Sequence, residues 1–384
     1  MSFVTGTFVL NVLQTSVPAW FTALGHKQWA QPVGNTIQSV ADPLMLVMGR
    51  GVGNYGEAAG PSSIITGWTG AVCDQSLRTI AFLGNGGHND YWGNEVYSFD
   101  LSAASPVWVR RRNATLADTF GSGASRGQWL DGRPVSDHTG DYCVAANGKW
   151  FKCGLGAPNY NGGEWGHFWW SFDPAANDYT YLGNTYPRQP DGYSISCSTA
   201  FDPSRNRIIK CIPNVAVGVR SYSLAGAEVD SIAAYFATGT ILASLDTTND
   251  VLLVRAYASN TCYAINLATK AIATFTATGT RPTDSTAKIH WHAASNAFVT
   301  WDGAQGLLKL TPTVVGGNYT AAEWSPVGGA TGVVPSGVNF GGGMYSKIQL
   351  ITNMGDGTAA LVIVPKWSTM PNKDVWVMRL TGAV

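Results

Sequence analysis

One pattern recurs along the chain: a short apolar strand, a turn rich in Asp, Asn and small residues, and a second apolar strand. Such a pattern predicts a β-hairpin, because turn residues between two apolar runs join antiparallel strands. The turns begin roughly 45 to 70 residues apart, which leaves room for two more strands after each hairpin. The six copies span residues 68–84, 141–154, 196–212, 240–256, 288–303 and 347–364.

Several hairpins are followed by further strand-like segments. A third strand with an aromatic residue is seen in EVYSFDL, HFWWSFDP, TCYAINL and DVWVMRL, and a fourth in PVWVRRRN, DYTYLG and AIATFTA. A hairpin followed by an outer pair of strands is one blade of a β-propeller. The sequence therefore predicts an all-β propeller of about six four-stranded blades. A β-sandwich would give no reason for the repeated hairpin.

The two ends of the chain complete each other in this interpretation. The last copy ends at DVWVMRLTGAV without a fourth strand, and the segment HKQWAQPVG has no blade of its own. We expect residues 27–31 to lie beside residues 374–380 and to close the ring. Residues 35–66 fit either a long glycine-rich loop, which we favour, or a seventh blade. The domain prediction is one propeller over 27–384, preceded by a docking segment over 1–26.

Composition agrees with this class and excludes others. The 45 Gly, 15 Trp and 15 Tyr with 12% charged residues suit tight turns and aromatic strands. Lys+Arg and Asp+Glu are equal at 24 each, so no excess positive charge favours nucleic acid or an anionic membrane surface. The N-terminus has no basic region before its interrupted apolar stretch, so we predict neither a signal peptide nor membrane insertion.

The six cysteines contain no CxxC pair and no Cys/His ligand spacing, so no structural zinc site is predicted. If the turn in FDPSRNR pairs Phe201 with Arg207, then Cys197 faces Cys211 across a hairpin. Whether those two form a disulfide stays open, because a chain without an export signal is usually made in a reducing compartment.

The stretch GNGGHNDYWGNEVYSFDL (84–101), followed by PVWVRRRN, resembles a kelch-type blade. Together with DGRPVSDHTGDYCVAANGKWFKCG (131–154) and STAFDPSRNRIIK (198–210), it is similar to kelch-like β-propellers of bacteria and phages. The resemblance is clearest over 66–212 and is architectural over 213–384. The family includes oxidases, sialidase-like proteins, polysaccharide lyases and binding modules, so the fold leaves function open. No copper site and no SxDxGxTW box is found, and no cofactor is predicted.

The resemblance implies two functions. The first is a phage virion protein of a tail fibre, spike or related adsorption structure that recognises host cell-surface glycan. Its partners would be the host polysaccharide and, through the N-terminal segment, other tail proteins or copies of itself. The alternative is a polysaccharide-degrading enzyme, a lyase acting on acidic polysaccharide. The location implied is the virion, with the bacterial cytoplasm or non-classical export as the alternative.

Lyases of the ulvan-lyase type supply candidate roles by resemblance, since β-elimination needs a base, an acid and a group that neutralises the uronate carboxylate. The base would be His88 or His138, and the neutralising group Arg126 or Arg133. The acid would be Tyr91, Tyr142 or Tyr193. Each His has a structural reading too, as a hydrogen-bond donor to a neighbouring blade. The candidate ligand-binding residues are Asn89, Tyr91, Trp92, Tyr160, Trp165 and Tyr193.

His290 and His292 alternate with Trp291 along one strand, so the two imidazoles share a face. Such a pair fits a metal, but the sequence favours a polar strand face that meets water in the central channel. We predict no metal site.

Overall fold

The computed structural model describes residues 16–32, 34–43, 63–66, 69–84, 93–115, 131–134, 136, 139–154, 168–184, 197–237, 239–335, 344–364 and 375–384. Its described strands form six antiparallel sheets. We call each sheet a blade and number the blades in chain order. The chain is therefore an all-β propeller of six blades, and the sequence prediction of this fold is confirmed.

Strands are grouped here by their place in a blade. The inner strands are β2 (Val72–Asp74), β6 (Cys143–Ala146), β10 (Ser198–Asp202), β14 (Ile241–Asp246), β18 (His290–His292) and β23 (Ile348–Ile351). The second strands are β3 (Thr79–Leu83), β7 (Lys149–Cys153), β11 (Arg207–Cys211), β15 (Val251–Ala256), β19 (Ala297–Asp302) and β24 (Ala359–Ile363).

The third strands are β4 (Val96–Asp100), β8 (Phe168–Asp173), β12 (Val219–Ser223), β16 (Thr261–Asn266), β20 (Gly306–Val315) and β25 (Trp376–Leu380). The outermost strands of blades 1 to 5 are β5 (Trp108–Arg112), β9 (Asp178–Asn184), β13 (Glu228–Ile232), β17 (Ile272–Thr276) and β21 (Asn318–Pro326). Outside the blades lie short helices, α1 (Ala19–Thr22), α2 (Ser63–Thr66) and 3₁₀ turns at Gln38–Val40, Ala293–Ser295 and Tyr345–Lys347.

The inner strands contact one another in a closed series, from β2 through β6, β10, β14, β18 and β23 back to β2. We define the entry face as the end of the ring at which each inner strand begins. Because the strands of a blade are antiparallel, the second strands end at this face and the third strands begin there. The loop at 84–94, which connects β3 to β4, and the loop at 131–142, which leads into β6, therefore attach to the entry face.

The ring is closed by β1 (Gln28–Ala30), which pairs antiparallel with β25 and places Gln28 opposite Arg379. This confirms the expected contact between residues 27–31 and 374–380. A short strand, β22 (Thr331–Gly332), adds to the free edge of β1 in parallel. Trp29 is 1% exposed and packs edge-on against Trp301 at a centroid distance of 4.9 Å. The closing strand thereby also joins blade 6 to blade 5.

Six apolar clusters hold the blades together, one in each gap between neighbours. Strand alternation makes this arrangement possible, because successive side chains point to opposite faces of a sheet. In β11, for example, Ile208 packs towards blade 2 and Ile209 towards blade 4. Strands that are apolar on both faces are therefore required, which explains the continuous apolar runs in the repeated hairpins.

The gap between blades 6 and 1 also receives the N-terminal segment. Phe21 of α1 is completely buried there, and Val17, Trp20 and Leu24 pack beside it. Residues 17–24 thus rest on the propeller itself, and the docking role of the 1–26 segment stays a prediction. Residues 35–66 contribute α2 and one 3₁₀ turn where they are described, and the described part of the chain contains no seventh sheet.

The third hairpin corrects one sequence expectation. Phe201 pairs with Ile208 rather than with Arg207, which is opposite Asp202. Ser198 consequently faces Cys211, and a shift of one residue moves Cys197 to the other face of the strand. All six cysteines are free thiols, so the disulfide that the other register would allow is absent.

Ring closure by β1 makes a direct prediction for stability. We expect Trp29→Ala to lower the free energy of unfolding by about 3–5 kcal/mol, because a fully buried aromatic ring leaves a cavity between two blades. Tyr235→Ala removes a 59% exposed ring and serves as the matched control, with an effect within about 0.5 kcal/mol. Denaturant unfolding of both variants measures the difference. Equal effects would contradict the closing role of β1.

Candidate functional site

An ion pair crosses the axis of the ring near the entry face. Lys288 precedes β18 of blade 5, and Asp141 precedes β6 of blade 2, so the two residues come from opposite blades. The Lys288 Nζ lies 2.6 Å from the Asp141 Oδ1, and the two side chains are 10% and 1% exposed. The apolar clusters join only neighbouring blades, whereas this pair ties together strands that face each other across the axis.

Neighbouring blades support the pair with further hydrogen bonds. The Ser198 hydroxyl donates to the second Asp141 oxygen and accepts from the Ala243 amide at 2.7 Å. The Lys288 Nζ also lies 3.3 Å from the Thr199 carbonyl oxygen. Burial raises the pKa of Asp141 above its ordinary value, although the charge of Lys288 and the Ser198 bond oppose the shift.

Blades 1, 2 and 6 meet at the axis as well. The Ser346 hydroxyl donates to the Gly140 carbonyl oxygen at 3.2 Å, and the Gly70 amide donates to the Thr139 hydroxyl at 3.0 Å. A Cβ atom on Gly70 would lie 2.0 Å from both the Gly140 oxygen and the Ser346 hydroxyl, so only glycine fits there. We call Gly70, Asp141, Ser198, Lys288 and Ser346 the axial network. It fills the centre of the ring with protein atoms at this level.

A second group lies at the entry face beside the axial network. We call Arg255, Tyr257, Arg281, Asp284 and Tyr345 the tyrosine–arginine cluster. Tyr345 is 7% exposed and has a φ of 40°, the left-handed region that residues other than glycine rarely adopt. Its carbonyl oxygen accepts from the Lys288 amide at 3.4 Å. The axial network therefore holds one side of this cluster.

The charges of the cluster act on one another. Burial raises the pKa of Tyr345, and Tyr257, Asp284 and Asp141 add to the shift. Asp284 also opposes the effect of burial on Lys347, whose pKa is lowered to about 7. Tyr257 itself is 45% exposed and follows β15 directly. One aromatic ring thus faces solvent next to a set of buried and half-buried charges.

Arg255 is completely buried beneath the loop that leads into blade 5. Its Nη2 donates to the Ala287 and Ser285 carbonyl oxygens at 2.6 and 3.0 Å, and its guanidinium carbon lies 6.0 Å from the Trp324 ring centroid. Its Nε and Nη1 have no hydrogen-bond partner among the described atoms. The pKa of Arg255 is lowered to about 10, chiefly by burial; the positive charge of Arg281 contributes to the lowering, and Cys262 and Asp284 oppose it.

The loop that carries Arg281 and Asp284 is fixed by β19 and by the turn that follows it. The Asp302 carboxylate accepts from the Thr283 amide at 2.6 Å, and the Gln305 side chain donates to the Arg281 carbonyl oxygen at 2.8 Å. The Asp284 Oδ1 accepts from the Thr286 amide at 2.8 Å. The positions of both charged groups are therefore set by hydrogen bonds within the fold.

Two of the predicted catalytic residues are described. Tyr142 is 1% exposed in the cluster between blades 1 and 2, where a Cβ on Gly154 would lie 1.9 Å from its ring. The Arg133 Nη1 lies 3.1 Å from the Asp131 Oδ2, with the Arg133 side chain 32% exposed. Their roles as acid and as neutralising group stay predictions. The other candidates lie outside the described residues: His88, Asn89, Tyr91, Trp92, Arg126, His138, Tyr160, Trp165 and Tyr193.

The two histidines of β18 have separate partners. The His290 Nε2 lies 2.8 Å from the Ile348 carbonyl oxygen of blade 6, and the His292 Nδ1 lies 2.6 Å from the Ser295 hydroxyl. Trp291 points the other way, into the cluster between blades 4 and 5. Where the structure describes the chain, no three His, Cys, Asp or Glu residues are grouped as metal ligands.

No protein-family model matches the chain. No curated protein matches it either. Kelch-like membership therefore stays a prediction, and the six-bladed fold rests on the structure alone. Over the described residues, no helix has the length and apolar character needed to span a membrane.

Sequence reasoning missed the tyrosine–arginine cluster, although one signal was present. Tyr257 comes directly after the predicted hairpin at 240–256, and the second strand of a hairpin ends at the entry face. Arg281, Asp284 and Tyr345 gave no comparable signal, because they belong to the loops that enter blades 5 and 6 and meet Tyr257 only in the folded ring.

The axial ion pair predicts strong coupling between its two residues. We expect Lys288→Met or Asp141→Ala alone to lower the free energy of unfolding by about 3–5 kcal/mol, because each leaves an uncompensated buried charge. The double variant should lose less than the sum of the two single effects. Denaturant unfolding of all three variants measures this coupling. Additive losses would contradict a direct pair across the axis.

His290 predicts a dependence of stability on pH. Burial, together with the charge of Lys288, lowers its pKa from 6.5 to about 3 in the folded chain. Between pH 6.5 and about 3, this residue is protonated in the unfolded chain and neutral in the folded chain. Stability is therefore greatest above pH 6.5 and falls as the pH drops towards 3. The slope from this group is about 1.4 kcal/mol per pH unit. Unfolding of His290→Gln at several pH values should show a flatter profile, and an unchanged slope would contradict the assignment.

Proposed function

We propose that this propeller binds glycan on its entry face, at blade 4, with Tyr257 as the ring on which a sugar stacks. The observation that carries the proposal is the placing of exposed aromatic rings. Among the described residues three aromatic side chains are exposed, Tyr181, Tyr235 and Tyr257, at 39%, 59% and 45%. Tyr235 lies between β13 and β14, where the carbonyl oxygens on either side of it, of Ala234 and Phe236, accept from the loop at 212–218 of blade 3. Tyr257 follows β15 of blade 4, so two of the three exposed rings lie on the entry face, on neighbouring blades.

The chemistry around Tyr257 suits a carbohydrate. A tyrosine ring offers an apolar face to sugar C–H groups and loses little conformational entropy on binding. The half-buried side chains of Arg281 and Asp284 supply a donor and an acceptor for sugar hydroxyls. Because hydrogen bonds to Asp302 and Gln305 fix the loop that carries them, these groups are positioned before a ligand arrives.

The wider role that we propose is in a phage virion, where the propeller would recognise host cell-surface glycan as part of a tail fibre, spike or related adsorption structure. The support is the resemblance of residues 66–212 to kelch-like propellers of phages and bacteria. The N-terminal segment would dock on other tail proteins. Mass spectrometry of purified phage particles tests this location, and absence of the chain from such particles would contradict it.

Tyr257 gives the direct test of glycan binding. On a glycan array followed by titration of the best ligand, we expect Tyr257→Ala to weaken binding at least tenfold, which corresponds to about 1.4 kcal/mol. Tyr181→Ala removes an exposed ring from the outer edge of blade 2 and should leave affinity unchanged. Equal affinities for the two variants would contradict the proposed position of the site.

The same preparations separate binding from cleavage. Incubation with acidic polysaccharides and measurement of the ultraviolet absorbance of unsaturated uronates detects β-elimination. Turnover would support the lyase alternative, whereas binding without turnover supports a recognition module. The absence of binding to any glycan would overturn the proposal.

A further inference from the structure

We propose that the tyrosine–arginine cluster is specific for an acidic sugar, whose carboxylate binds to Arg281 above the buried charge of Arg255. This inference rests on the proposed function and adds the chemical class of the ligand. It depends on residues that the resemblance to kelch-like propellers does not identify as functional.

Arg281 is available to a ligand. Its side chain is half-buried on the entry face, and its backbone is held by the Gln305 amide at 2.8 Å. Within the described ranges its guanidinium takes part in no salt bridge, unlike Arg205 or Arg207, which pair with carboxylates on the opposite face. A guanidinium that is partly removed from water and lacks a carboxylate partner favours an anion from outside the chain.

Arg255 provides the second observation. It is completely buried, and two of its nitrogens, Nε and Nη1, have no hydrogen-bond partner in the described structure. A buried guanidinium with unpartnered donors is costly, and its positive field is weakly screened because water is excluded. Arg255 donates to the Ser285 and Ala287 carbonyl oxygens at 3.0 and 2.6 Å, so it lies against the loop that carries Arg281, and the charge of Arg281 acts on it. An anion bound at Arg281 would relieve the repulsion between the two guanidinium groups.

The charges of the cluster favour a negatively charged ligand. The two guanidinium groups face one cluster carboxylate, Asp284, which already accepts from the Thr286 amide and hydroxyl. Lys347, whose pKa is about 7, adds a partial positive charge near Asp284. The nearby Lys288 and Asp141 neutralise each other. Positive groups therefore outnumber the cluster carboxylate, and Tyr257 offers the ring for a sugar that carries a carboxylate.

The experiment uses matched sugar pairs and the full chain. Binding is titrated with oligogalacturonate, with its methyl ester, and with the neutral galactose oligomer, for wild type and for Arg281→Gln. We expect wild type to prefer the free acid at least tenfold, and Arg281→Gln to bind the acid, the ester and the neutral oligomer with equal affinity. Arg205→Gln, which removes a guanidinium from the opposite face, should keep the preference of the wild type.

Each outcome decides a separate point. Equal wild-type binding of acid, ester and neutral oligomer would overturn the acidic-sugar specificity and leave the proposed glycan binding intact. Failure to bind any of the three, or any glycan on the array, would overturn the proposed function itself. A third arm measures acetate and inorganic sulfate alone. If these ions bind with the affinity of the oligogalacturonate, the site takes free anions and the sugar assignment is wrong.

Discussion

The contact between Lys288 and Asp141 is the constraint on which the centre of this ring depends. Propeller blades pack against their neighbours, so the clusters between blades determine the order of the ring but not what occupies its axis. The ion pair between opposite blades determines what occupies the axis. Burying two charges costs several kcal/mol for each ion. That cost is offset at this site by the contacts of Ser198 with Asp141 and of Thr199 with Lys288.

The axial network also determines where the candidate binding site lies. The Lys288 amide donates to the Tyr345 carbonyl oxygen, so the axial network positions a residue of the tyrosine–arginine cluster. Arg255 holds the same loop from below through the Ser285 and Ala287 carbonyl oxygens. The axial network and Arg255 therefore both hold the loops on the entry face of blades 4 and 5. The charged and aromatic side chains of those loops keep defined positions.

The repeated hairpins could be predicted from the sequence because most of their strands are buried on both faces and are therefore largely apolar. The outer strands of blades 3 and 5 were not identified. In blade 3, β13 carries Glu228, Asp230 and Ser231 and is largely exposed, so no apolar run marks it. The register error in the third hairpin has a local cause as well. Asn206 adopts a φ of 50°, which lets the turn close over four residues and extends both strands by one pair.

Sequence patterns could not identify the candidate site, for a geometric reason. Its residues come from the end of β15 and from the segments that lead into β18 and β23, and no spacing along the chain relates Arg255, Arg281 and Tyr345. The ring alone brings them together. Tyr142, a candidate acid by resemblance to lyases, lies buried in the cluster between blades 1 and 2, and its role stays a prediction.

Hydrogen exchange of the whole chain with and without a bound glycan tests the central claim most directly. The structure and the proposed function together predict slower amide exchange over residues 255–260 and 281–288, with no change in the turns of the opposite face at 203–206 and 247–250. Protection confined to the opposite face, or to the outer strands of the blades, would contradict a binding site on the entry face above the axial network.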